Sequence, residues 1–548
     1  MFKLKALTVA ITAASLIACS DSDNDSTNTL GDIDTGPKTE LTTAELKNSV
    51  ENDWYKDASF RVSETQSVVD RIKTARGSAK NIILFVGDGM GMSTVTAARI
   101  LDGQNKGQQG EENTLSFGDF PFSGLAKTYN VDAQTPDSAG TMTALISGVK
   151  TDKGVIGVDE DITRSDCSTV AGNELVTAIE LAEIAGMSTG ILSTARITHA
   201  TPAAAYAKSA DRNWEDVSDM PQEAIDAGCE DIASQLVNFE ANLESRYAGL
   251  DVDGLDVVMG GGRRHFLPTD VAEGDRTDGR DLVAEWKGKY AQGTYVNDQA
   301  GFDAINEATT EPVLALFNES HMQYEADRGN DILGEPSLTE MTQKAINILD
   351  NNDKGFFLTV ESGRIDHGHH AGSAYTALHD TIEFSSAIQA AVDSTNPEDT
   401  LILVTADHGH VFTISGYPQR GNPILGKVVK VGGTEAALAE DDKPFTTLAY
   451  ANGRGFKDLG AETNADVTYG EAIVAGRVDL SAVDTTSPGF HQEATVPLSG
   501  ETHSGEDVGV YAMGPGAHLV SGTYEQSQIF HIMEYAGDLV GKADKIWP

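Results

Sequence analysis

Six short runs along the chain are apolar without alternation: "NIILFV" (81–86), "STGILSTA" (188–195), "LDVVMGGG" (255–262), "GFFLTV" (355–360), "TLILVTA" (400–406) and "VGVYAMG" (508–514). A strand with one face in water alternates polar and apolar residues, so these runs suit strands covered on both faces. Helical patterns lie between them. "NELVTAIELAEIAG" (173–186) spaces its apolar residues by three and four and stops at a glycine, and "SLTEMTQKAINILDNND" (337–353) and "AYTALHDTIEFSSAIQAAVDS" (374–394) read likewise. Strands alternating with helices predict an α/β fold with a mainly parallel central sheet and helices on both faces. No internal repeat is visible. From about 412 to 500 the chain is glycine-rich and short of buried-strand signatures, which predicts an inserted cap, with the regular fold resuming near Glu501.

In such a sheet the ligand site lies beyond the carboxyl ends of the strands, and there the titratable residues gather. "GDGMG" brings Asp88, "RITHATP" brings His199 and Thr201, and "ESGRIDHGHHAG" brings Glu361, Asp366, His367 and His370. "DHGH" adds Asp407 and His408, and His503 in "GETHSG" precedes the last run. Asp366 and His370 are four apart, on one face of a helical turn, where a carboxylate and an imidazole can hold Zn²⁺. One such pair is more readily a structural hydrogen bond. Two Asp/His sets converging on one edge, with Asp88 beside them, suggest two zinc ions sharing a substrate. Glu361 and Thr201 offer oxygen only, which suits Mg²⁺.

Two further residues fit anion chemistry. "TPDSAGTMTALISG" (135–148) reads as a loop entering a helix, with Ser138 at or near the N-cap. Plain capping explains a serine there, but a helix N-terminus also binds anions, and a serine beside zinc can be deprotonated to attack phosphorus. Arg212 follows His199 by thirteen residues. Its guanidinium is either a surface group or a fork for two phosphoryl oxygens.

Charge narrows the partners. Of 548 residues, 39 are Lys or Arg and 84 are Asp or Glu, a net charge of −45. Such a surface repels nucleic acid and anionic membranes, so no nucleic-acid binding is expected, and any anion site must carry its own positive charge. The acidity serves either solubility or life in salt, where screening relieves self-repulsion. The first 18 residues, "MFKLKALTVAITAASLIA", have two lysines and then an apolar stretch, the pattern of an export signal. With Cys19 they end in "LIAC", similar to a bacterial lipobox, which predicts a lipid-anchored protein of the periplasm or cell surface; simple cleavage is the other reading. Residues 19–45 are polar and low in complexity, as a tether would be, leaving 46–548 as the folded domain. Cys167 and Cys229 remain; in an oxidising compartment a disulfide between them is favoured over two free thiols.

Taken together, "NIILFVGDGMG", "TPDSAGTMTALISGVKT", "ITHATPAAAYAKSADRNW", "FFLTVESGRIDHGHHAG", "LVTADHGHVFT" and "GETHSGEDVGVYAMGPGAHL" resemble the alkaline phosphatase family, in the family's order and from about residue 53 to near the end. The resemblance implies metal-dependent hydrolysis of small phosphate monoesters through a phosphoserine at Ser138, with an alkaline optimum and broad substrate range. It implies Asp366, His370 and His503 as ligands of one zinc, Asp88, Asp407 and His408 as ligands of a second, and Asp88, Thr201 and Glu361 as ligands of one magnesium. Arg212 matches the phosphate clamp. His199 and His367 stand where enteric bacterial members carry Asp and Lys, and histidine at both is the animal-like and marine-bacterial pattern. The Cys167/Cys229 pair resembles the animal branch. Animal members also hold calcium, but Asn318 stands where that pattern has an acidic residue, so no calcium is predicted. The 412–500 segment falls where the family carries its crown insertion, and members are usually homodimers. Phosphodiesterases, nucleotide pyrophosphatases and sulfatases also pair their metals; Thr201, Glu361 and Arg212 together favour the monoesterase.

Overall fold

The computed structural model describes residues 53–547. The export signal, Cys19 and the tether 19–45 lie outside the described residues. The chain divides into two compact units, 1–64 and 65–548. The described part of the first is the start of a helix, Asp53–Val69.

The second unit is built on a ten-stranded sheet. Its strands in chain order are β1 Asn81–Gly87, β2 Phe122–Lys127, β3 Ser188–Arg196, β4 Val257–Gly261, β5 Thr294–Val296, β6 Val313–Leu316, β7 Phe356–Ser362, β8 Thr400–Ala406, β9 Val508–Met513 and β10 Gly522–Glu525. They lie side by side as β10-β2-β9-β8-β1-β7-β3-β4-β6-β5. Every pairing is parallel except those of β9, which runs against both β8 and β2. All six runs singled out in the sequence are strands. β1, β7 and β8 are buried along their whole length, which is why they lack alternation.

Four strands were not legible as buried runs. β2, "FSGLAK", is partly exposed and interrupted by Gly124. β5 and β6 are only 3 and 4 residues long, too short for a period to show. β10 begins on exposed residues.

The helices follow the expected pattern with one change. Ala374–Ser394 forms as read, and Leu338–Leu349 starts from a capping box between Ser337 and Glu340. The helix expected over 173–186 is shorter, Ala178–Ile184, because Thr177 and Glu180 form a capping box that fixes its start. The core joins sheet to helices through aromatic contacts, with Phe85 of β1 edge-on to Phe384 at 5.8 Å between ring centres. Burying one such side chain contributes about 1.5–3 kcal/mol. Between β8 and β9 the chain leaves the main sheet for a three-stranded sheet (Phe412–Ile414, Leu448–Gly453, Ala494–Pro497) and a two-stranded one (Lys457–Asp458, Phe490–His491). Cys167 and Cys229 are disulfide-bonded.

Candidate metal centre and active site

Strand register puts the acidic residues level with one another. Gly87 of β1 lies opposite Ser362 of β7 and Ala406 of β8. Asp88 and Asp407 are therefore the next residues beyond two adjacent strands, and Glu361 sits on the third, opposite Val86 and Ser193. The helix Arg364–His370 follows β7 after one residue and carries Asp366 and His370. His503 arrives from far along the chain because His503–Ser504 pairs antiparallel with Gly409–His410. Gly89, at φ +69°, makes this crowding possible, since a Cβ there would stand 2.3 Å from His410 Nε2.

Asp366, His370 and His503 form the first group. Asp366 Oδ1 lies 3.3 Å from His370 Nε2 and 3.4 Å from His503 Nε2, and the two nitrogens are 3.1 Å apart. His370 Nδ1 donates to the Glu501 carbonyl at 2.6 Å and His503 Nδ1 to the Pro136 carbonyl at 2.8 Å. Carbonyls only accept, so the ring protons sit on Nδ1 and both Nε2 atoms present lone pairs. Three acceptors facing one another repel unless a cation lies between them. Two imidazoles fixed through their second nitrogen, with one carboxylate, fit Zn²⁺.

The second group holds Asp88, Asp407, His408 and Ser138. His408 Nε2 is 3.4 Å from Asp88 Oδ1, 3.3 Å from Asp407 Oδ2 and 3.1 Å from the Ser138 hydroxyl. That hydroxyl also lies 3.4 Å from Asp88 Oδ1, which accepts its proton. Asp407 is held by the Gly89 N–H at 3.1 Å and the Thr141 hydroxyl at 3.2 Å. Ser138 is the first helical residue rather than the cap: Asp137 caps the helix Ser138–Ser147, accepting from the Gly140 N–H.

The third group is marked by unmet oxygens. Asp88 Oδ2, Thr201 Oγ1 and Glu361 Oε1 are buried without hydrogen-bond partners. Such atoms cost free energy unless something binds them, and an all-oxygen set fits Mg²⁺. A ring nitrogen of His199 lies within 4.8 Å of carboxylate oxygens of both Asp88 and Glu361.

Electrostatics bear the same mark. Burial, then the charges of Asp407 and Asp366, hold the Asp88 carboxyl well above its usual range. Burial pushes Glu361 up to about 8, tempered by the Ser193 hydroxyl, which donates to its Oε2. Burial holds the His408 imidazole well below its usual range. Asp366 is the exception: against burial, His370, His410 and His503 hold it well below the usual carboxylate range. This concentration of carboxylates is relieved by cations.

Arg212 is held at two points beside the second group. Its Nη1 donates to Asp137 Oδ2 at 3.0 Å and its Nη2 faces His199 Nε2 at 3.1 Å. His199 packs against His321 and His367, with ring centres 5.5 Å away in each case. Arg364 donates to His367 Nδ1 at 3.0 Å and pairs with Asp466 at 2.9 Å. Burial, and then the charge of Arg364, push His367 down to about 3.

The structure thus brings Ser138, Arg212, His199, His367 and all the metal ligands proposed from the sequence into one locus. It adds four that sequence reasoning passed over. His410 donates from Nε2 to Asp366 at 2.8 Å and from Nδ1 to Glu501 at 2.6 Å. Although burial opposes it, Glu501 and Asp366 push the imidazolium up to about 10. With both nitrogens engaged, His410 props Asp366 rather than presenting a lone pair. Its place in "DHGH", two residues after His408, was a usable signal. Asp137, directly before Ser138, was another. Glu501 and His321 carried none.

The model of the alkaline phosphatase family matches residues 79–539. The tissue-nonspecific alkaline phosphatase of Rattus norvegicus is 44% identical over 516 residues, 91% of this chain and 92% of that protein. Its Homo sapiens counterpart is 44% identical over 508 residues, 90% of each. Among solved structures, a cold-active alkaline phosphatase from the psychrophile Shewanella sp. superposes with a TM-score of 0.56 at 26% identity, covering 83% of this chain and 98% of that one.

Proposed function

The chain belongs to the alkaline phosphatase family and hydrolyses phosphate monoesters, and from that premise we propose that Ser138 is its nucleophile, working between two zinc sites and one magnesium site. The trio Asp366 Oδ1, His370 Nε2 and His503 Nε2, lone pairs facing at 3.1–3.4 Å, carries this reading. Asp366, His370 and His503 would hold one zinc, Asp88, Asp407 and His408 the other, and Asp88, Thr201 and Glu361 the magnesium. When bound, the cations supply Lewis acidity, lowering the pKa of a hydroxyl and neutralising charge on the leaving oxygen.

The chain's own residues do the rest. Ser138 Oγ gives up its proton and bonds to phosphorus as the bond from phosphorus to the alcohol oxygen breaks and that oxygen takes a proton, giving a phosphoserine; a water oxygen then bonds to phosphorus as the Oγ–phosphorus bond breaks, one water proton returns to Oγ, and phosphate is released. Asp137 and His199 hold Arg212 where its guanidinium meets the non-bridging oxygens, over which charge spreads in the transition state. Asp137 also sets the first turn of the helix, so one carboxylate fixes both nucleophile and clamp. His410, braced by Glu501, fixes Asp366.

Export, lipidation at Cys19, a location in the periplasm or at the cell surface and assembly as a homodimer belong to the same reading. The first three rest on the sequence of residues 1–19 and the last on the family. No helix among the described residues is long and apolar enough to cross a membrane. The 412–500 segment is the candidate crown. The deciding experiment compares p-nitrophenyl phosphate with its bis ester: the monoester is expected to be turned over far faster, and preference for the bis ester would overturn the assignment.

A further inference from the structure

We infer that Arg164 is a positioning residue for the phosphate clamp: from outside the metal groups it fixes the main chain of Arg212 through Asp211 and Gly154. This rests on the clamp role proposed above for Arg212.

Asp211, the residue before Arg212, is the first link. It is buried, and its carboxylate receives four donors. Arg164 reaches it with two nitrogens, Nη2 to Oδ1 at 3.2 Å and Nε to Oδ2 at 3.3 Å. The Ser165 hydroxyl donates to Oδ2 at 2.5 Å and the Asn213 N–H to Oδ1 at 3.0 Å. Against burial, these donors hold the Asp211 carboxyl below its usual range. The bonds bracket Arg212, one residue before it and one after. A two-pronged pair of guanidinium and carboxylate fixes direction as well as distance, so the turn that carries the clamp is held in one orientation.

Gly154 is the second link. Its carbonyl accepts from the Arg212 N–H at 2.9 Å, and its own N–H donates to Asp137 Oδ1 at 3.1 Å. The Arg164 guanidinium lies against this glycine, since a Cβ there would stand 2.3 Å from its Cζ. Arg164 therefore backs the main chain of the clamp through one neighbour and, through another, the carboxylate that holds the clamp's side chain.

The support is built apart from the metal ligands. Ser165 takes φ +63°, a conformation that a residue with a Cβ keeps only where its surroundings impose it. Here its N–H donates to the Ala210 carbonyl at 2.9 Å while its hydroxyl engages Asp211. Two residues on, Cys167 is bonded to Cys229. Val155, Ile162, Ala210 and Trp214, each within two residues of Gly154, Arg164 or Arg212, pack in an apolar cluster separate from the main core. This frame shares no residue with the proposed metal sites, so phosphate affinity can change while zinc content does not.

A double-mutant cycle on the full, metal-loaded chain tests this, with the inhibition constant for inorganic phosphate as the readout and elemental analysis beside it. Arg164→Met keeps much of the stem and removes the guanidinium. With Arg212 present it is expected to raise the constant about fivefold, within the range of couplings between residues of one network, with zinc content unchanged. In the Arg212→Ala background it is expected to change nothing further, because the group it positions is gone. Arg164→Met leaves Asp211 buried without its partner; should it fold poorly, Arg164→Met combined with Asp211→Asn removes both members of the pair and is read in the same way. An equal effect in both backgrounds, no effect with Arg212 present, or a parallel loss of zinc overturns the inference and leaves the proposed function standing. If Arg212→Ala alone leaves phosphate inhibition unchanged, the clamp assignment falls and the inference with it.

Discussion

Asp137 accepts from Arg212 Nη1 at 3.0 Å through one carboxylate oxygen while the other receives the N–H groups of Gly140 and Gly154. The residue that starts the nucleophile's helix is therefore also the anchor of the phosphate clamp. Asp137→Asn keeps an acceptor for the cap but surrenders the ion pair. Its inhibition constant for inorganic phosphate is expected to rise about tenfold, the cost of one charged hydrogen bond, with a near-normal melting temperature. Unchanged phosphate inhibition would separate the two roles.

Ser138→Ala removes the hydroxyl that meets both His408 Nε2 and Asp88 Oδ1. It is expected to abolish incorporation of labelled phosphate into the protein while leaving the zinc content intact. Label recovered on another serine would move the nucleophile.

Asp366→Ala deletes the carboxylate shared by His370, His410 and His503. Elemental analysis is expected to show the loss of one zinc per chain, and turnover to fall by several orders of magnitude with the loss of metal-assisted catalysis. Unchanged zinc content counts against the ligand set.

His410 gives a pH signature in the chelated protein. Its folded value of about 10 exceeds the value of about 6.5 for a free imidazole. The group binds its proton more tightly folded than unfolded, so its contribution is complete below about pH 6.5 and disappears as pH rises through about 10. Glu501→Gln, which removes the partner that contributes most, is expected to lower the urea midpoint of the metal-free protein at pH 6 more than at pH 10.5. Equal losses at both values would mean that Glu501 acts through packing alone.

How far the sequence reveals this molecule depends on how local each signal is. β1, β7 and β8 are buried on both faces, and continuous apolar runs announce them. β2 and β10 are half exposed at the sheet edge, where no period distinguishes strand from loop. Asp88, Asp407 and His408 directly follow buried runs, and Asp366 and His370 lie on the first helix after another, so the α/β pattern places them at one edge before any contact is known. His503 reads as an imidazole just ahead of the last apolar run, but its seat beside His370 is set by the pairing of His503–Ser504 with Gly409–His410, a tertiary event with no local trace. Glu501 is hidden for the same reason. His321 lies in a loop after β6, and nothing near it in the chain points toward His199.

That pairing has a consequence for how the molecule is assembled. One partner sits in the last part of the folded unit and contributes a ligand to a cage whose other members follow β7, so the cage closes only when nearly the whole chain has been delivered and folded. A cation captured there acts as a clasp between early and late segments. Emptying it leaves His503–Ser504 held to Gly409–His410 by strand pairing alone, and resistance to cleavage near that pairing should rise and fall with the metal supply of the surrounding fluid.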